Sequence, residues 1–161
     1  MLKKIFLVAL IFTLASPTLA KPNALLLGTA LGSALASALH GIAAWSAHRA
    51  EVALDEKDDF TGKIDAQASL RGSSVASALA CGTQGFATLL AVCEAITFVP
   101  FLNGAALLAS FASLMTNTVA TIEEGAHDSV NAYLITAFSL NAPGFILSLL
   151  VQYGFYQHNK S

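Results

Sequence analysis

Apolar residues along this chain come in long blocks that hold almost no charge. Met1–Ala20, Asn23–His48, Ser73–Pro100, Phe101–Ile122 and Ser129–Tyr156 contain nearly all of them. Blocks longer than about 18 apolar residues can cross a bilayer as helices. The last four blocks therefore predict an all-α polytopic membrane protein, with helices over about 24–48, 74–99, 104–122 and 130–156. Between the first two lies a hydrophilic loop, 49–73, and ten of the 18 charged residues fall within Arg49–Arg71. Pro100 and Asn103-Gly104 predict a tight turn, so the second and third helices read as an antiparallel hairpin.

The first block has a different grammar. Lys3 and Lys4 precede an apolar stretch, Ile5–Ala15, then Pro17 and the small-residue series Thr18-Leu19-Ala20. That order predicts a signal peptide over 1–20, leaving 21–161 as a single helical membrane domain. Kept as an anchor, the same block would add one more span.

Polar residues inside the blocks fall at helical spacing. Gly28, Gly32 and Ala36 form a small-residue ridge that admits close helix packing. Thr29, Ser33, Ser37, His40 and His48 line the same block; Ser73, Ser77, Cys81, Gly85 and Thr88 line the next, with Gln84 beside them. Ser110, Ser113, Asn117 and Thr121 share a face of the third. His40, Gln84, Glu94, Asn117 and the kink signal at Pro143 are the intramembrane polar candidates, because polar groups at membrane depth are costly. Trp45, Tyr153 and Tyr156 suit an interfacial belt.

Composition adds weight to this picture. Hydrophobic residues make up 55% of the chain and charged residues 11%, too few to coat a soluble domain. A net charge of −2 argues against nucleic acid as a partner. Cys81 and Cys93 are 12 residues apart in one helix, about 18 Å along its axis, too far for a disulfide. Asp58-Asp59-Phe60-Thr61-Gly62 lacks the spacing of a calcium loop, and His127-Asp128-Ser129 cannot adopt triad geometry from adjacent positions. No catalytic, cofactor or metal pattern emerges, and an enzyme is not expected.

Lys and Arg counting places loop 49–73 in the cytoplasm and the C-terminus on the exported side, in a membrane of the secretory pathway or the plasma or inner membrane. The helix order resembles the tetraspan arrangement of claudin-like and fungal cortical-patch membrane proteins. Those families carry a Trp and paired cysteines in an exported first loop; residues 49–72 have neither, so no residue role carries over. The sequence thus predicts a small membrane protein with a structural, scaffolding or accessory role through helix packing. Its partners would be the lipid bilayer, a second copy or other membrane proteins. A channel or transporter subunit and a secreted membrane-inserting protein are the alternatives.

Overall fold

The structure is a computed structural model that describes residues 24–56, 63–93, 95–124 and 128–158. It contains four long helices: α1 (Ala24–Asp55), α2 (Lys63–Val92), α3 (Val99–Glu124) and α4 (Asp128–His158). A short 3-10 helix, Ile96–Phe98, leads into α3, and no strand occurs among the described residues. Each long helix has the length and hydropathy to cross a bilayer. The protein is a helical bundle of integral-membrane type. The predicted signal segment Met1–Ala20, Glu94 and the Asn159–Ser161 tail lie outside the described residues.

The helices run up and down in sequence order. α1 packs against α2 and α4, and α3 packs against α2. The α3–α4 seam is the loosest of the four, and two shallow apolar grooves open along it.

Buried positions recur with a strict alternation of four and three. In α1 they include Thr29, Ser33, Ala36, His40, Ala43, Ala47, Ala50 and Leu54. In α2 they are Ala66, Leu70, Ser73, Ser77, Ala80, Gln84, Ala87 and Ala91. Val99, Asn103, Ala106, Ser110, Ser113, Asn117 and Ala120 serve α3; Val130, Leu134, Ala137, Asn141, Gly144, Ser148, Val151 and Phe155 serve α4. A sustained 3.5-residue repeat keeps one seam facing its neighbours as a left-handed supercoil.

What occupies that seam changes along the axis. At one end Ala50, Leu54, Ala66, Leu70, Ala120, Val130 and Leu134 make an apolar cluster. At the other, Ala87, Val99, Val151 and Phe155 make a second. Between them the seam is Ser, Asn, Gln, His, Gly and Ala. Large apolar side chains face outward at this depth, among them Leu31, Leu35, Phe86, Leu108, Phe111 and Ile146. This is the reverse of a soluble bundle, and it suits a hydrocarbon surround.

Two boundaries differ from the sequence reading. The charged stretch 49–73 is not a loop over most of its length, because α1 continues to Asp55 and α2 starts at Lys63. The heptad repeat extends through Ala50, Leu54, Ala66 and Leu70, so this end has a core of its own. Outside it, Arg71 Nε donates to Glu51 Oε1 at 2.8 Å and Gln67 Nε2 to Asp55 Oδ1 at 3.0 Å. Asn103-Gly104 is not a turn either, since α3 starts at Val99 with Pro100 in its first turn, where a missing N–H breaks no helical bond. The chain reverses just after α2, where the Ala95 N–H bonds the Leu90 carbonyl at 2.9 Å in a helix-ending 6→1 contact.

Candidate functional site

The polar centre of the bundle is the candidate site, and His40 on α1 is its most distinctive member. His40 is fully buried. Its Nδ1 donates to Asn141 Oδ1 on α4 at 2.9 Å, and its Nε2 lies 2.9 Å from Ser110 Oγ on α3. The Ser110 hydroxyl also reaches the Ala106 carbonyl, one turn back in its own helix, at 2.7 Å. Gly144 leaves room for the ring. A Cβ there would stand 2.7 Å from His40 Cε1, so only glycine admits this approach.

Asn141 is the hub that links this ring to α2 and α3. Its Nδ2 donates to Ser77 Oγ at 3.0 Å and to Ser113 Oγ at 2.7 Å. Ser113 continues the chain to Ser77 at 2.6 Å and Ser73 at 3.0 Å. Ser73 in turn donates to Asn117 Oδ1 at 2.6 Å. One connected set of hydrogen bonds thus joins all four helices at mid-depth.

A second set sits closer to the α2–α3 turn. Gln84 Nε2 donates to Asn103 Oδ1 and to Ser148 Oγ, both at 2.6 Å. Asn103 Nδ2 donates to the Ser148 carbonyl at 2.7 Å and to Gln152 Oε1 at 3.1 Å. Among the described residues, Ser33 Oγ, Ser46 Oγ, Gln84 Oε1 and Asn117 Nδ2 are buried side-chain atoms without a hydrogen-bond partner.

Of the sequence candidates, His40 and Asn117 fall in the first set and Gln84 in the second. Pro143 is half-buried inside an α4 that stays helical across it, and Glu94 lies outside the described residues. The small-residue ridge divides. Ala36 is buried and a Cβ on Gly32 would stand 2.7 Å from Val151 Cγ2, whereas Gly28 has open space around it. His48 and Thr121 of the predicted polar stripes are exposed; His48 faces Glu51, and Thr121 bonds its own Asn117 carbonyl. Sequence reasoning missed the two central asparagines. Asn141 looked like part of a kink and Asn103 like part of a turn. Their register in the four-three repeat is the signal that identifies them.

The apolar ends close this polar centre from both directions, through Leu54, Leu70, Val130 and Leu134 at one end and Val99, Val151 and Phe155 at the other. The grooves on the α3–α4 seam are lined chiefly by Leu, Ile and Phe, with Thr118, Thr121 and Ser139 in one of them. No group of three or more His, Cys, Asp or Glu able to hold a metal occurs among the described residues. No family model, no characterised protein and no solved structure matches this chain.

Proposed function

We propose that this is a structural or accessory membrane protein, a self-contained four-helix unit that works by helix packing with membrane partners. The observation that carries the reading is that Ser110, His40, Asn141, Ser77 and Ser113 form one connected hydrogen-bonded set across all four helices. A packing protein needs intramembrane polar groups that satisfy one another. A transporter needs them to converge on a space that a substrate enters. The apolar clusters at both ends favour the first arrangement. The predominantly apolar outer face offers partner helices and lipid a surface with little desolvation cost. Positive-inside counting favours the orientation with residues 49–73 in the cytoplasm, and the protein acts without catalysing a reaction.

Flux measurement tests this reading. Purified protein in vesicles of neutral and anionic phospholipid should pass protons and potassium no faster than protein-free vesicles. Flux that depends on His40 or Gln84 would overturn the packing role in favour of transport.

A further inference from the structure

Two arginines at the charged end of the bundle have different surroundings. Arg71 on α2 is neutralised by Glu51, whose Oε1 lies 2.8 Å from both Nε and Nη2, and the same carboxylate faces His48 at 3.5 Å. Arg49 on α1 sits instead against α4, with its guanidinium 5.9 Å from the centre of the Tyr133 ring. No carboxylate among the described residues pairs with it. A ring face attracts a cation without taking the place of a hydrogen-bond acceptor. The planar fork of N–H donors, which matches the geometry of a phosphate, is left to an outside partner. Below Arg49 the outer face of α1 is apolar. Leu31, Leu35, Ala38, Ile42, Trp45 and Arg49 are exposed at spacings of four, three, four, three and four, which makes one straight row. From Trp45 down to Leu35 the row spans about 15 Å at the helical rise, half the hydrocarbon thickness and so the depth of one leaflet.

We propose that this row is a binding site for one anionic phospholipid, with its phosphate on Arg49 and an acyl chain along Trp45, Ile42, Ala38 and Leu35. Charge complementarity selects the head: a zwitterionic lipid would bring a second cation beside Arg49, whereas an anionic one brings none. The apolar row selects the lipid, since one molecule then meets the guanidinium at the interface and the side chains a leaflet deep beneath it. Attraction by the molecule as a whole does not supply the preference, because a net charge of −2 repels anionic lipid. Enrichment of such a lipid at this face must therefore come from the local site. The inference requires that the bundle span a membrane and does not depend on the packing role proposed above.

Trp45 is the single tryptophan of the chain, so its fluorescence reports on this row alone. The purified protein is placed in phosphatidylcholine vesicles in which a minor fraction of the lipid carries brominated acyl chains. That fraction is either phosphatidylglycerol or, for comparison, phosphatidylcholine. Brominated phosphatidylglycerol should be enriched about fivefold at Trp45 over the matched phosphatidylcholine, the gain expected from one interfacial arginine. Raised salt should reduce this preference in the unmutated protein. Arg49→Gln should abolish it, and Arg71→Gln, which removes the same charge from the α2 side, should leave it in place. Equal quenching by the two lipids in the wild type overturns the site and leaves Arg49 to a carboxylate of a partner protein. A preference that survives Arg49→Gln, or that Arg71→Gln removes to the same extent, overturns it as well.

Discussion

At Gly144 a single missing methyl decides whether α1 and α4 can meet. A Cβ there would lie within 3.1 Å of three atoms of the His40 ring. The ring cannot retreat without breaking its bonds to Asn141 and Ser110. Gly144→Ala should therefore cost about 1–3 kcal/mol by overpacking. Gly82→Ala is the matched control, since nothing lies within 4 Å of that position; it should gain about 0.5–1 kcal/mol of helix preference. Melting the two variants side by side measures the difference. The same contrast divides the first helix. Gly32→Ile should destabilise the isolated bundle through Val151, while Gly28→Ile should leave its melting unchanged. Any effect of Gly28→Ile on cross-linked dimer yield would report a contact with a second copy. These distinctions were only partly legible in the sequence. The spacing of Gly28, Gly32 and Ala36 marks a ridge, but which glycine faces a neighbour depends on where the four-three repeat sets the seam. The same ambiguity hid Asn103 and Asn141, whose residue types suit turns and kinks as well as they suit a polar core.

Within each helix the four-three repeat persists while the chemistry on it changes. The long apolar blocks made the four helices readable, because charge-free runs of that length have few other solutions. Helix ends in the charged stretch were not readable from hydropathy. Arg49–Asp55 and Lys63–Arg71 are polar outside but continue the repeat inside through Ala50, Leu54, Ala66 and Leu70. This end should respond to mutation as a water-soluble bundle does. Leu70→Ala, at a fully buried position, should cost about 2–5 kcal/mol. Arg71→Gln should cost less than about 1 kcal/mol despite its 2.8 Å contact with Glu51, because the Arg71 side chain is 75% exposed and water screens the pair. Thermal or denaturant unfolding of the two variants checks the order. Equal losses would mean that this end is held by charge rather than by its apolar core.

Taken whole, the molecule has the dimensions of a bilayer. Tyr133 and Tyr153 on α4 are 20 residues apart, about 30 Å at the helical rise, which matches the hydrocarbon thickness. Arg49 lies over the Tyr133 ring at 5.9 Å, and exposed Trp45 is one turn deeper on α1. Trp45 should thus sit at the membrane interface. Its fluorescence should be quenched more by a spin label near the headgroups than by one at the acyl-chain end. Between the two levels the bundle is polar inside and apolar outside, and the hydrogen bonds of Asn141 tie its four helices together. Interhelical hydrogen bonds in membranes average about 0.6 kcal/mol, with larger values where a stranded partner has no alternative. The melting temperature of Asn141→Leu tests this central point most directly. If Asn141 is the buried hub, leucine removes its bonds, strands His40 Nδ1 and forces a larger apolar side chain among Ser77 and Ser113, and the variant should melt well below the wild type. If Asn141 instead faces lipid, leucine is the better residue there, and an unchanged or higher melting temperature would contradict the account.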